Sequence, residues 1–149
     1  MIIDFARHVC GIKNANSTEF DSKCINPVID LMESQKAIKV KGGTMRLGSY
    51  DCDIAPKSKA SKIYKKQTIS ERHRHRWEVN NRFVKKMTSN GLVFSGMNKD
   101  LGVVEIIELP NHPWFVGCQF HPELKSRVDK AHPLFREFVK ASLKEQKNG

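Results

Sequence analysis

Residues 114–123 read WFVGCQFHPE, an apolar run that ends in a histidine and a glutamate. Such a run is typical of a strand that is buried on both faces of a parallel sheet. Strands of this kind present functional residues at their carboxyl ends, where open α/β sheets bind ligands. The segment therefore predicts an open α/β sheet with His121 and Glu123 at its ligand-binding edge.

The offset of two residues between His121 and Glu123 places both side chains on one side of an extended chain. A carboxylate that accepts the proton of one imidazole nitrogen fixes the tautomer and leaves the other nitrogen as a general base. By spacing alone, a hydrogen-bonded surface pair without a catalytic role is the more common arrangement. Both interpretations stay open at this point.

A general base of this kind needs a nucleophile, and Cys118 is the nearest candidate. An offset of three along a strand points Cys118 away from the face of His121, so we exclude it. A zinc site that uses both residues is disfavoured as well, because no second ligand pair has a suitable spacing. No metal is therefore predicted. Without a C-x-x-C pair or a signal-peptide pattern, four free and buried thiols are expected at Cys10, Cys24, Cys52 and Cys118.

The rest of the chain alternates helical and extended patterns. Helices are expected over 2–12, 58–66, 81–90 and from Pro133 onward, with Asn80 or Asn81 as a cap and Gly91 as a stop. Strands are expected at 28–32, 44–50, 68–79, 92–96, 103–109 and 114–120, and a loop at 13–27. This mixture predicts an α/β fold. No apolar run approaches the roughly 20 residues that cross a bilayer, so a cytoplasmic protein is expected.

The net charge of +10 is concentrated in residues 57–86, which hold eleven Lys and Arg against two acids. Within this segment, residues 71–78 read ERHRHRWE. A strand here would place three arginines on one face and two histidines on the other: Arg72, Arg74, Arg76 against His73, His75. Arginines suit phosphate or carboxylate, because a guanidinium can form two parallel hydrogen bonds. Three interpretations of this segment stay open. It is a solvated edge strand, it binds a small anionic ligand, or it binds nucleic acid with Trp77 stacked on a base.

Further segments carry a resemblance to a known family. QFHPE (119–123) resembles the C-terminal His/Glu motif of class I glutamine amidotransferases. Five other segments are similar to the CTP synthase family, in that family's order: NANSTEF (14–20), GGTMRLG (42–48), ERHRHRWEVN (71–80), VEIIE (104–108) and NHPWF (111–115). The resemblance implies a flavodoxin-like open sheet of the class I amidotransferase type. Residues 1–149 would form the C-terminal portion of that domain.

CTP synthases convert UTP to CTP with ATP and with ammonia released from glutamine by a Cys-His-Glu triad. The resemblance implies that His121 shuttles protons and that Glu123 orients it. It assigns Glu19 to the amino group of glutamine and Arg76 to substrate binding, for which the α-carboxylate is the natural partner. Since Arg76 lies in the basic segment, its role shifts the expectation for that segment towards a small anionic ligand. Arg46 falls in the region associated with the activator GTP.

The resemblance also aligns residues 1–12 with the helix that follows the nucleophilic cysteine. The fold is therefore expected to be incomplete on its N-terminal side, without the nucleophile turn and without the synthetase domain. No cofactor is expected in this chain, although ATP and magnesium are implied for the full-length enzyme. The expected partners are L-glutamine, a synthetase domain on the same or a separate chain with ATP, UTP and GTP, and further copies in a homo-oligomer. Membranes and nucleic acid are not expected partners.

Two hypotheses for this chain follow from the resemblance. It is either the acid/base part of a CTP synthase amidotransferase domain, or a non-catalytic regulatory fragment that docks on a full-length synthase. On both hypotheses, the chain alone is expected not to hydrolyse glutamine. His121 and Glu123 depend on a nucleophilic cysteine, and catalytic residues that act together lose most of their effect when one of them is missing.

Overall fold

The computed structural model describes residues 1–31 and 45–148. In chain order, the elements are α1 (Ile2–His8), β1 (Ala15–Ser17), β2 (Asn26–Leu31), β3 (Arg46–Ile54), α2 (Lys59–Tyr64), β4 (Thr68–His75), β5 (Trp77–Val79), α3 (Asn81–Ser89), β6 (Val93–Asn98), β7 (Val103–Glu108), β8 (Val116–Cys118), a 3₁₀ turn (Pro122–Leu124) and α4 (Pro133–Asn148). The predicted α/β mixture is confirmed. No helix in the described ranges is both long and apolar enough to cross a membrane.

The chain forms two compact units, Met1–Leu47 with Arg74–Leu92 and Gly48–His73 with Val93–Gly149. In the first unit, β1 pairs in parallel with β2, and β2 pairs antiparallel with β5. The predicted loop at 13–27 is thus wrong in part, since it contains β1. The polar Asn16 and Ser17 show no strand pattern, and their extended backbone depends on pairing with β2.

Helix α3 begins where its capping residue predicts. The side chain of Asn80 accepts a hydrogen bond from the Arg82 N–H at 3.1 Å, and its Nδ2 donates to the Pro27 carbonyl at 2.9 Å. The first bond satisfies a helix N–H that has no partner within the helix. The second ties the start of α3 to β2. Past the end of α3, Gly91 adopts a φ of 93°, which favours glycine.

The second unit is built on a five-stranded sheet in the order β4-β3-β6-β7-β8. Strand β6 pairs antiparallel with β3 and with β7, and β7 pairs antiparallel with β8. Gly96 lies at a close approach within this sheet. A Cβ there would be 2.6 Å from Ile106 Cγ1 and 2.7 Å from Cys52 Sγ, so only glycine fits.

Every residue of β7 is buried, including two glutamates. Burial of a carboxylate is costly unless a partner compensates for it. Glu108 accepts the N–H groups of Lys59 and Ala60 at 2.7 and 3.1 Å, and so caps the start of α2. Glu105 lies 3.4 Å from His73 Nε2, and both side chains are fully buried.

The predicted strand over 68–79 is wrong as one element. It divides at Arg76 into β4 and β5, which belong to different sheets. Within β4 the predicted alternation is confirmed, since Arg72 and Arg74 are exposed and His73 is buried.

The prediction of a doubly buried parallel strand over 114–120 is also wrong. Strand β8 has three half-buried residues and lies at the edge of its sheet, antiparallel to β7. Trp114, Val116 and Cys118 alternate along the run and pack against the core, which includes Ile54, Ile106 and Phe120. The apolar run therefore covers the core with one face.

Candidate active site

Main-chain hydrogen bonds to two strands hold residues 119–121 in place. The His121 N–H donates to the Arg72 carbonyl on β4 at 2.9 Å. Two residues earlier, the Gln119 N–H donates to the Glu105 carbonyl on β7 at 2.8 Å. Phe120 between them is buried in the core. The position of the His121 backbone is thus fixed by the sheet of the second unit.

The structure brings the side chains of His121 and Glu123 together, with Nδ1 2.7 Å from Oε1. The 3₁₀ turn Pro122–Leu124 makes this contact, where an extended chain was predicted. Because the carboxylate accepts the Nδ1 proton, Nε2 is the nitrogen left to act as a base. The hydrogen bond from His121 lowers the pKa of the Glu123 carboxyl. The His121 side chain is 38% exposed, so a substrate can reach it.

Beside this turn lies a buried acid that sequence reasoning missed. Glu71 on β4 is 3% exposed, and its Oε1 lies 3.1 Å from His132 Nε2. His132 Nδ1 accepts the Leu134 N–H at 3.3 Å, so the proton on Nε2 is the one shared with Glu71. Lys125, just after the 3₁₀ turn, donates to the Ser70 carbonyl and lies 3.6 Å from Glu71 Oε2.

These contacts attach the segment that follows Glu123 to β4. The only local sign in the sequence was the strand alternation, which places Glu71 on the buried face of β4. Its partners Lys125 and His132 lie more than fifty residues away in the sequence, and no local pattern links them to it.

All four cysteines are free thiols, as predicted, but only Cys10 and Cys52 are buried, whereas Cys24 and Cys118 are half-buried. Burial raises the pKa of Cys52 and of Cys118 to about 12. It also raises the pKa of Cys10 and Cys24. A reactive cysteine requires a lowered pKa, because the thiolate is the nucleophile. None of the four thiols is activated, which agrees with the exclusion of Cys118. No cluster of three or more His, Cys, Asp or Glu in residues 1–31 and 45–148 is arranged to hold a metal ion.

Glu19, Arg46 and Arg76 belong to the first unit, whereas His121 and Glu123 belong to the second. Glu19 is exposed just after β1, and its N–H donates to Ser17 Oγ at 3.1 Å. Arg76 is half-buried between β4 and β5. Their roles in binding glutamine stay predictions.

Arg46 is buried at the start of β3, where its Nη1 donates to Glu78 Oε1 at 3.0 Å. His75 Nδ1 lies 3.4 Å from the same oxygen. This pairing gives Arg46 a structural role within the first unit. Its predicted contact with an effector stays a prediction, and the first three residues of the GGTMRLG segment, 42–44, lie outside the described residues.

Residues 1–141 match the sequence model of the family described as glutamine amidotransferase class-I. The chain therefore belongs to the class I glutamine amidotransferases, and the predicted fold class is confirmed.

The chain is also similar to particular members, the CTP synthases. It is 60% identical over 147 residues to CTP synthase from Chlorobium phaeobacteroides (strain DSM 266), covering 99% of this chain and 26% of that protein. It is 52% identical over 148 residues to CTP synthase from Moorella thermoacetica, covering 99% and 28%. The chain thus spans about a quarter of the length of the curated relatives that it matches.

Among solved structures, the chain is similar to the glutaminase domain of Trypanosoma brucei CTPS with bound acivicin. The TM-score is 0.88 at 33% sequence identity, covering 96% of this chain and 56% of the other. The predicted resemblance to the amidotransferase domain of CTP synthase is confirmed.

Proposed function

We propose that this chain supplies the acid/base half of the glutaminase site of a CTP synthase. The contact of 2.7 Å between His121 Nδ1 and Glu123 Oε1 carries this proposal. In the reaction, His121 Nε2 takes the proton of a cysteine thiol, and the resulting thiolate attacks the amide carbon of glutamine. Nε2 gives this proton to the departing amide nitrogen, which leaves as ammonia. Nε2 then takes a proton from the water that releases glutamate. Glu123 holds the imidazole in the required tautomer throughout.

The nucleophile of this site comes from outside the 149 residues. The raised pKa values of Cys10, Cys24, Cys52 and Cys118 support this statement, since a thiol that stays protonated at neutral pH does not attack an amide. A preceding segment of the same polypeptide and a separate chain are both able to supply the missing thiolate.

Glu19 and Arg76 bind the glutamine substrate in this proposal. A carboxylate pairs with the α-ammonium group, and a guanidinium pairs in a bidentate manner with the α-carboxylate. The exposure of Glu19 and the partial exposure of Arg76 are consistent with these roles. The ammonia then serves a synthetase domain that uses ATP and magnesium to aminate UTP to CTP, with GTP as effector.

A chimeric enzyme tests the proposal. The matching segment of the Chlorobium phaeobacteroides CTP synthase is replaced by this chain, and CTP formation is measured with glutamine or with ammonium chloride. We expect His121→Ala to lower the glutamine-dependent rate by about 10²- to 10⁴-fold, the range of general acid–base catalysis. The ammonia-dependent rate should be unchanged, because it bypasses amide hydrolysis.

The exposed His8 of α1 provides the control, since His8→Ala should leave both rates as they are. A His121→Ala chimera that retains glutamine-dependent CTP formation would refute the assignment of the base. An equal loss of both rates would indicate misfolding of the chimera, and circular dichroism distinguishes that outcome.

A further inference from the structure

A pocket of about 550 Å³ opens in the second unit, between β4, the residues before α4 and the first turn of α4. Five of its lining side chains are cations: Lys66, Lys125, Arg127, Lys130 and Arg136. Among the described lining residues, Glu71 is the single carboxylate. The glutaminase chemistry uses none of these cations.

Glu71 does not offset the positive charge of the whole pocket. Its carboxylate is buried and is already compensated by His132 Nε2 at 3.1 Å and by Lys125 Nζ at 3.6 Å. Lys66, Arg127 and Lys130 are exposed and have no carboxylate partner within residues 1–31 and 45–148. The three side chains at the pocket wall therefore carry uncompensated charge.

Two of these cations stand on a turn that is closed by reciprocal hydrogen bonds. The Arg127 N–H donates to the Lys130 carbonyl at 3.1 Å, and the Lys130 N–H donates to the Arg127 carbonyl at 3.2 Å. The backbone that carries both side chains is thus already ordered. Binding of a ligand to these two side chains therefore costs little conformational entropy of the backbone, which favours affinity.

The start of α4 contributes a further positive element. A helix carries partial positive charge at its N-terminus, where acidic residues are favourable and cations are unfavourable. The first turn of α4, from Pro133 to Arg136, has no acidic residue and contains an arginine. An arginine without an acidic neighbour in the first turn is unfavourable for the isolated helix. The same positive charge becomes favourable when an anion occupies the pocket.

We propose that this pocket binds a phosphorylated small molecule through Lys66, Arg127 and Lys130. A guanidinium and two ammonium groups complement phosphate oxygens, and arginine can form two parallel hydrogen bonds to them. The volume exceeds that of one phosphate group, so the ligand carries a second phosphate or an organic group. Inorganic polyphosphates and nucleoside phosphates share this chemistry.

Isothermal titration of the 149-residue chain at fixed ionic strength tests the site, with orthophosphate, pyrophosphate, ADP and citrate as probes. We expect saturable 1:1 binding of pyrophosphate that is tighter than binding of orthophosphate. Arg127→Glu and Lys130→Glu should each weaken it by about tenfold or more, since each converts an attractive charge into a repulsive one. Arg127→Lys should have a smaller effect, because it keeps the positive charge and loses only the two parallel hydrogen bonds of the guanidinium. Tighter binding of ADP than of pyrophosphate would identify a nucleoside phosphate, and the reverse an inorganic one.

Lys144→Glu on α4 is the matched control, since Lys144 is exposed and lies outside the pocket lining. It should change the affinity less than twofold. All of these positions are exposed, and circular dichroism verifies that the variants fold. The proposal is overturned if no probe saturates, or if Lys144→Glu weakens binding as much as Arg127→Glu. Tighter binding of citrate than of pyrophosphate would equally overturn the assignment to phosphate.

Discussion

At the scale of the residue, the hydrogen bond between His121 and Glu123 affects the tautomer of the imidazole and the pKa of the carboxyl. The bond lowers the pKa of the Glu123 carboxyl. A carboxyl whose pKa is lower in the folded protein contributes stability above its unfolded pKa, and this contribution is lost as the pH falls through the folded value. The pair is therefore intact at neutral pH and weakens in acid.

A titration of Glu123 tests this bond directly. We expect ¹³C NMR to find the Glu123 carboxyl titrating below its ordinary pKa of 4.5, and His121→Ala to return it towards that value, because the largest cause of the shift is removed. His8→Ala should leave the titration of Glu123 unchanged. An unshifted Glu123 carboxyl in the unaltered chain would contradict the hydrogen bond.

Arg46 offers a second test at the same scale. Both Arg46 and Glu78 are almost fully buried, so Arg46→Met leaves a buried carboxylate without its main partner. We expect a loss of about 3–5 kcal/mol in the free energy of unfolding, measured by urea denaturation. The double variant Arg46→Met with Glu78→Met should recover part of this loss, because the lone charge is removed as well.

Full stability of Arg46→Met would show that the ion pair is dispensable. Arg46 would then be open to a purely effector-binding role. A destabilised single variant and a partly restored double variant would establish the structural role that the geometry supports.

At the scale of the element, the start of α3 depends on one amide side chain. Asn80→Ala removes the bond to the Arg82 N–H and should lower the free energy of unfolding by about 0.5–2 kcal/mol. Asn80→Asp retains an oxygen acceptor for that N–H and loses only the donor to the Pro27 carbonyl. It should therefore be less destabilising than Asn80→Ala in thermal unfolding. Equal losses would assign the stabilisation to the bond with β2 instead of the cap.

The helices with clear end signals could be predicted from the sequence. Asn80 and Gly91 mark the two ends of α3, and Pro133 marks the start of α4, because these residues act through local backbone geometry. The break at Arg76 could not be predicted, because residues 72–76 alternate arginine and histidine and lead into Trp77 without a glycine, proline or other turn residue. The chain passes from one sheet to the other at this residue, and this change depends on tertiary contacts. The apolar residues of 114–120 indicated burial but carried no information on the direction of the neighbouring strand.

The site was predictable to a similar degree. His121 and Glu123 are two residues apart, so one motif contains the pair. The cluster of Glu71, Lys125 and His132 depends on contacts across more than fifty residues, which a single sequence does not reveal. The anionic ligand expected from the basic segment remains a proposal. Among the described residues that line the proposed phosphate pocket, Lys66 is the one lysine or arginine from that segment.

At the scale of the whole molecule, the four cysteines determine what the chain does alone. Burial raises the pKa of Cys52 and Cys118 to about 12 and also raises the pKa of Cys10 and Cys24, which keeps these thiols protonated at neutral pH. The isolated chain should therefore release no ammonia from glutamine. In the folded chain, iodoacetamide should alkylate Cys52 and Cys118 much more slowly than in urea.

Mass spectrometry of the alkylated peptides and a coupled ammonia assay measure these two outcomes. Ammonia release that depends on glutamine and is abolished by His121→Ala would contradict this prediction. Rapid alkylation of a single thiol in the native chain would identify an activated cysteine that the pKa values exclude.

The main-chain bond from His121 to Arg72 has a consequence for motion. The amide hydrogen of His121 can exchange with deuterated solvent only when this bond to β4 opens, so its exchange rate reports how often the 3₁₀ turn Pro122–Leu124 detaches from β4. Exchange as slow as that of the core amides of β7 would mean that the turn opens only with the whole unit. Faster exchange would give the free energy of a local opening, and so the fraction of time in which His121 is detached from β4.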